Sequence, residues 1–456
     1  MPTRHALPLL VLLTCLFAQA QPVHAQAPRP SPRQLAWQQL ETTAFLHFTV
    51  NTFTDKEWGD GTEKPGIFNP AKLDARQWIR TLRDAGFRMA IITAKHHDGF
   101  CLWPSKLTEH SVKNSPWKDG KGDVVRDVAD ACREFGLKFG VYLSPWDRHE
   151  SRYGTAAYND YYKAQLRELL TNYGPIAEVW FDGAKGENAK DMTYDFAGYW
   201  ALVRQLQPQA VMFSDVGPDV RWVGNEAGNA GDTSWSTINT EGMAPGVADP
   251  KYLNRGDPLG KLWIPTETDV SIRPGWFYHP AEDAKVRSAQ DLVNLYYQSV
   301  GRNSLLLLNV PPNREGLLSE PDVASLKAFR RILDETFSTN LVAKKQLVLR
   351  DGMLVTFRAL PSNQPLIIEL SGEQTFDRIM IQENIANGQH IAGGRVEYWN
   401  GTDWQLIQTF TTVGYKRLLR FPAVRSSRIQ LTVTNANDLV LVSEVGVYKA
   451  SEEERR

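Results

Sequence analysis

Cysteine is scarce: the 456 residues hold three, and Cys15 lies in an apolar stretch near the start. Without that stretch only Cys101 and Cys132 remain, too few for a disulfide framework. Cys132 falls on the apolar face of a predicted helix and reads as a buried thiol. Net charge is lacking too, since 51 Lys and Arg stand against 52 Asp and Glu. That excludes a nucleic-acid binder or a polybasic membrane binder, which need a strong positive field. No apolar run beyond residue 18 is long enough to span a membrane. No G-x-G-x-x-G or G-x-x-x-x-G-K-[ST] follows a strand candidate, so the phosphate loop of a nucleotide-binding sheet is missing.

The one apolar run, LPLLVLLTCLFA over residues 7–18, follows Arg4 and His5. Small-residue cleavage patterns come next, Ala18-Gln19-Ala20 and Val23-His24-Ala25. This is the form of a secretory signal peptide over 1–25, with a core too short for an ordinary membrane span. Leu13 and Thr14 fit a lipoprotein signal at Cys15 poorly. The expected product is exported, periplasmic or secreted, and begins with a flexible Pro-rich segment over 26–35.

Hydrophobic residues at 42% and charged residues at 23% make a soluble globular composition, long enough for more than one domain. The 14 tryptophans suit either sugar-stacking surfaces or a large core, and composition does not choose between them. Strand candidates recur at 44–50, 89–96, 138–145, 178–183, 210–216, 261–270 and 304–310. Amphipathic helix candidates lie between them, three of which stop at Gly86, Gly136 and Gly174. Continuous apolar strands alternating with helices imply a parallel sheet buried on both faces. The expected fold is α/β, a (β/α)8-like TIM barrel over 36–337, with a doubly wound sheet as competitor. After about residue 338 the runs are strand-like with turns such as Asn400-Gly401, which predicts an antiparallel β-sandwich over 338–456.

A barrel's site lies at the C-terminal ends of its strands. The candidates there are His47, with Glu57 and Trp58 in the following loop; Lys95 to Phe100, including His96 and His97; Tyr142; Trp180 and Asp182; Glu226; and Glu267, Arg273 and Trp276. Three chemistries could use such a set. Glycoside hydrolysis needs two carboxyls across one bond, with donors and aromatics to hold a sugar. A metal hydrolase could use His47, His96 and His97, but neighbours on a strand face opposite ways, and neither His-x-His nor H-E-x-x-H occurs. A non-catalytic sugar-binding barrel is the third.

The motifs His47-Phe48, Glu57-Trp58, Lys95-His96-His97-Asp98-Gly99-Phe100 and Trp180-Phe181-Asp182-Gly183, in order at successive strand ends, resemble glycoside hydrolase family 29, the retaining α-L-fucosidases. The loop Gly224-Asn225-Glu226-Ala227-Gly228 and the run Glu267 to His279 look like the branch that prefers α-1,3/1,4-linked fucose. The resemblance implies a fucosylated oligosaccharide or glycan as substrate and no metal or organic cofactor. It implies Asp182 as nucleophile and Glu226 as acid/base. Glu267 is the rival acid/base, or else a structural carboxylate paired with Arg273. His47, Glu57, Trp58, His96, His97 and Tyr142 match positions that hold the fucose, with Trp180, Arg273 and Trp276 as further candidates. The last domain resembles a galactose-binding-like sandwich of the coagulation-factor type, often a carbohydrate-binding module. Asp98-Gly99 reads as a turn, Cys101 as a packed thiol, and Trp404 as a sandwich-core residue.

Overall fold

The computed structural model describes residues 27–455, so the expected signal peptide with Cys15 lies outside the described residues. The first part of the chain carries ten strands: β1 Thr42–Leu46, β2 Met89–Lys95, β3 Lys138–Leu143, β4 Glu178–Trp180, β5 Val211–Ser214, β6 Val220–Trp222, β7 Thr237–Ile238, β8 Leu262–Trp263, β9 Thr266–Ser271 and β10 Leu305–Asn309. Eight of them close into a parallel barrel in the order β1-β10-β9-β6-β5-β4-β3-β2, and β7 and β8 form a separate antiparallel ribbon. The helices are α1 Pro32–Gln38, α2 Val50–Thr54, α3 Ala75–Asp84, α4 Val124–Phe135, α5 Ala157–Asn172, α6 Phe196–Leu206, α7 Pro250–Arg255, α8 Ala289–Gln298 and α9 Glu320–Phe337. Every residue of β1, β2, β9 and β10 is buried. Burial on both faces is what a strand between a packed interior and a helical shell requires.

Two features depart from simple βα repetition. Residues 215–219 return the chain from β5 to the parallel strand β6 without a helix, where a crossover ordinarily needs a dozen residues or more. Asp219 holds this return: its carboxylate accepts the Met212 N–H at 3.0 Å and pairs with Arg33 at 3.1 Å and with Arg204. Second, the segment read as flexible is already helical from Pro32. Ser31 and Gln34 form a capping box, and the Gln34 amide donates to the carbonyls of Asp219 and Trp263. Helix α1 thereby closes the lower end of the barrel and sends Trp37 and Leu40 into the interior cluster with Phe45, Ile91, Phe213 and Leu307.

Beyond α9 come β11 Arg358–Leu360, β12 Pro365–Glu383, β13 Ile391–Trp399, β14 Trp404–Phe410, β15 Arg417–Ala436 and β16 Val440–Tyr448, all antiparallel. Strands β12 and β15 run through both layers of the sandwich. Their register shifts between Glu369/Gln374 and Phe376/Arg378, one end pairing beside β13 and the other beside β16. Ile368, Ile379, Ile429 and Val445 from the two layers share one core. Trp404 is not in that core. It lies half-buried on the outermost strand, edge-on to Trp399 at 5.4 Å, because β14 has a partner on one side only.

The barrel and the sandwich meet at Glu41. Its carboxylate accepts Tyr296 at 2.8 Å, Tyr415 at 3.0 Å and the Lys416 ammonium. Burial opposes its ionisation, but the Lys416 charge and these donors outweigh it and hold the carboxyl below its ordinary range. A depressed carboxyl stabilises above its unfolded pKa, about 4.3, and loses that contribution as pH falls through the lower folded value. Glu41→Ala is therefore expected to cost ~1–3 kcal/mol near neutrality. Calorimetry should show the gap to wild type closing below about pH 4; a pH-independent gap would contradict the electrostatic account.

Candidate active site

A cavity of about 220 Å³ opens at the C-terminal mouth of the barrel. It is lined by Phe45, His47, Trp58, His96, His97, Tyr142, Trp180, Asp182, Ala184, Glu226, Asp269 and Trp276. The volume lies below the ~300–1,000 Å³ typical of drug-sized ligands, and suits one small ring. Phe45 forms its apolar floor, with edge contacts to the rings of His47, Tyr142, Trp180 and Trp276 at 5.0–6.4 Å. Trp58 stands at the rim, 45% exposed and edge-on to His97.

Asp182 lies just past β4. Its Oδ1 accepts the Ala184 N–H at 2.7 Å and its Oδ2 accepts the Tyr142 hydroxyl at 2.8 Å. Gly183 is required beside it, because a Cβ there would lie 2.4 Å from an Asp215 carboxylate oxygen. Burial pushes the Asp182 carboxyl up to about 7 against those two hydrogen bonds, with Asp215 and Glu226 adding like charge. Glu226 is exposed at the rim and accepts the Trp276 indole N–H at 3.3 Å. Its carboxyl is raised by desolvation and by Glu57. Gly224 and Gly228, with φ of +90° and +81°, bracket its loop. Asn225 braces that loop by accepting the Ala227 N–H at 3.1 Å and donating to the Asn229 carbonyl at 2.8 Å.

The histidines are neutral at physiological pH, since burial takes His47 and His97 down to about 3 and His96 well below its usual value. Asn309 fixes the His47 tautomer. Its amide donates to Ser271 and to the Trp276 carbonyl, so its oxygen accepts His47 Nδ1–H at 2.9 Å and leaves Nε2 as an acceptor. Ser144 donates to the Trp146 carbonyl and accepts His97 Nδ1–H at 2.7 Å, with the same result. His97 Nε2 then faces Asp182 Oδ2 at 3.7 Å, too far for a direct hydrogen bond. Strand β2 ends at Lys95, which frees both His96 and His97 to face the cavity, their rings 4.1 Å apart. Lys95 itself points outward to Asp147 and Gln165. Among the described residues, no group of three or more His, Cys, Asp or Glu side chains is arranged to hold a metal ion.

Three expectations are corrected. Glu267 is fully buried below the cavity and accepts the Trp180 indole N–H at 2.8 Å, so it does not face the mouth as a rival acid. Arg273 is not its partner and does not line the cavity. It is buried against Asp322 at 3.0 Å and Asp283 at 2.9 Å, tying the loop after β9 to the start of α9. Glu57 is not among the lining residues: it accepts the backbone N–H groups of Trp276 and Phe277 at 2.8 and 3.1 Å and contacts His279 at 2.6 Å, which fixes Trp276. Asp98 accepts Thr49 and Phe100 in a turn, and Cys101 is a buried thiol pushed above its usual range by burial.

Asp269 and Asn309 were missed. Asp269 lines the cavity, accepts the Trp222 indole N–H at 2.9 Å, and has its carboxyl driven well up by burial, with Glu226 adding to the effect. The signal was the Glu267-Thr268-Asp269 run itself. Residues two apart on a strand share a face, and Asp269 is one layer nearer the mouth.

Carboxyls and neutral imidazoles around an aromatic-floored, sugar-sized cavity at a barrel mouth define a glycoside hydrolase. The family model for alpha-L-fucosidases matches residues 32–335, and the chain belongs to that family. It is 48% identical to alpha-L-fucosidase 1 of Arabidopsis thaliana, over 92% of this chain and 87% of that one. Its structure resembles a putative alpha-L-fucosidase of Bacteroides ovatus, at 45% identity and a TM-score of 0.86 over 93% of this chain and 74% of that one. It also resembles a Ruminococcus gnavus family 29 fucosidase solved with fucose, at 34% identity and 0.85 over 94% and 97%. The protein is thus a glycoside hydrolase of the alpha-L-fucosidase family, which implies a fucosylated substrate.

Asn309→Ala would leave the His47 Nδ1–H and the Trp276 carbonyl without their partner. It is expected to raise KM for an aryl α-L-fucoside roughly tenfold, about 1.4 kcal/mol, in steady-state assays. An unchanged KM would show that the His47 tautomer does not matter for binding.

Proposed function

We propose that the protein is an exported, retaining exo-α-L-fucosidase that removes terminal α-1,3/1,4-linked fucose from branched glycans by double displacement. The observation that carries this reading is two carboxyls in different surroundings at one cavity. Asp182 is pinned on a strand end by Tyr142 and Ala184, while Glu226 stands at the solvent rim. Asp182 attacks the anomeric carbon as Glu226 protonates the departing glycosidic oxygen. Glu226 then takes a proton from water, which displaces Asp182 from the fucosyl ester.

Without sugar, burial favours the proton on Asp182. A bound aglycone covers Glu226 and favours its protonated form, because losing water raises a carboxyl further. Attack requires the Asp182 anion, which its two donors favour. The acceptor nitrogens of His47 and His97 receive sugar hydroxyls, and the Phe45 floor suits the methyl group of fucose. The linkage preference rests on the Gly224–Gly228 loop and the run to His279, which meet at the Glu226–Trp276 contact. Export rests on the N-terminal pattern alone. The Trp399–Trp404 pair, with the Arg428 guanidinium 4.4 Å from the Trp399 ring centre, supports a glycan-binding role for the sandwich.

Asp182→Ala is expected to cut kcat on an aryl fucoside by more than about a thousandfold, roughly 4 kcal/mol of barrier. NMR of the wild-type reaction should detect α-fucose before mutarotation; β-fucose first would sink the retaining mechanism. Azide should rescue Glu226→Ala and yield α-fucosyl azide, because it takes the place of water on the fucosyl ester. Tyr142→Phe removes a hydrogen bond that favours the Asp182 anion, so the Asp182 pKa rises. Activity needs that anion, so the acid limb of the kcat/KM profile should move to higher pH.

A further inference from the structure

Two carboxyls that this chemistry does not use lie one layer below the cavity. Glu178 opens β4, Glu267 lies on β9, and both are completely buried. Glu178 Oε2 accepts the Trp37 indole N–H at 2.7 Å, and Glu267 Oε1 accepts the Trp180 indole N–H at 2.8 Å. The remaining oxygens, Glu178 Oε1 and Glu267 Oε2, are buried and receive no N–H or O–H from any other described residue. The two side chains lie close enough to interact directly. Neither forms an ion pair with a cationic side chain among the described residues. The other charged groups acting on the pair, Asp219 and Asp269, are acidic and oppose further negative charge. Two carboxylates so placed cannot both be ionised, whereas one proton between them satisfies both orphan oxygens.

We propose that Glu178 and Glu267 share one proton and form a fixed line, Trp37–Glu178–Glu267–Trp180, that sets the orientation of Trp180 at the base of the sugar cavity. Both glutamates are then positioning residues for the fucosidase reaction. Trp180 stacks on Phe213 at 4.0 Å and 6°, and on Tyr142 at 5.4 Å and 26°. Tyr142 is the donor to Asp182, which follows Trp180 by two residues. A tilt of the indole therefore reaches the nucleophile through a ring contact and through the strand. Stability alone does not explain the pair, since replacing buried polar partners by apolar residues is often neutral or stabilising.

Glu267→Leu removes the acceptor for Trp180, and Glu267→Gln preserves it while its NH2 donates to Glu178 in place of the shared proton. The leucine variant is expected to melt within a few degrees of wild type, yet to lose at least ~10-fold in kcat/KM on an aryl fucoside. The glutamine variant should restore most of that loss. Trp37→Phe breaks the far end of the line while keeping an aromatic ring in the barrel, and should lower kcat/KM in the same direction even if the leucine variant fails to fold. Infrared difference spectra of wild type against Glu267→Gln should contain the C=O stretch of one protonated carboxyl. Its absence would refute the shared proton. Wild-type kcat/KM in a folded leucine variant, or in Trp37→Phe, would refute the positioning role, and wild-type turnover serves as the control for the fucosidase reading itself.

Discussion

Along each strand of a closed barrel, side chains alternate between interior and shell, so a step of two residues moves a side chain one layer, about 6.6 Å. On β4 the interior series is Glu178, Trp180 and, just past the strand, Asp182. On β9 it is Glu267, Asp269 and Ser271. The same residue type has a different fate at each height. In the lower layer the glutamates are shut off from solvent and paired with no cation among the described residues, so they require indole donors and a proton. One layer up, Asp269 and Asp182 still lose most of their water but open on a cavity that a sugar can fill. Glu226, on a loop beyond the barrel rim, is the more solvent-exposed carboxyl.

This layering also explains the electrostatics of the mouth. Among the described residues no Lys or Arg lines the cavity, and its three histidines are kept neutral by burial. The site is thus a ring of acceptors and acids around aromatic faces. It does not bind its ligand by opposite charge. A neutral sugar fits such a site, and the positive character that develops at the anomeric carbon meets preorganised carboxyls in a poorly screened environment.

Much of this was legible in the sequence because both periods in it are strong. The apolar strands and the glycine-ended helices α3, α4 and α5 were readable from local pattern. Strand β6 was not. It is three residues long and its return from β5 has no helix, so the strand that leads to Glu226 is absent from the strand candidates. The Asp219 contacts that replace the helix are non-local, reaching Arg33 far along the chain. At the site, His47, His96, His97, Tyr142, Trp180 and Asp182 line the cavity that their positions at strand ends point to. Arg273 was misread because its partner Asp322 belongs to α9, forty-nine residues on. Asn309 carries no motif at all, and its role exists only through what it bonds across the barrel.

The two halves of the site are therefore built differently. Asp182 hangs from the barrel itself, with one donor from β3 and one from its own turn. Glu226 depends on loops: the glycine-bracketed turn after β6, and Trp276 after β9. Trp276 is held in turn by Glu57 from the loop region after β1 and by Asn309 at the end of β10. Changes in these loops can move Glu226 and reshape the rim, and they leave Asp182 and the Phe45 floor untouched. Under the proposed mechanism, linkage specificity can thus vary on this barrel while the reacting carbon stays in one place, because the strand interior fixes one carboxyl and only the loop network fixes the other.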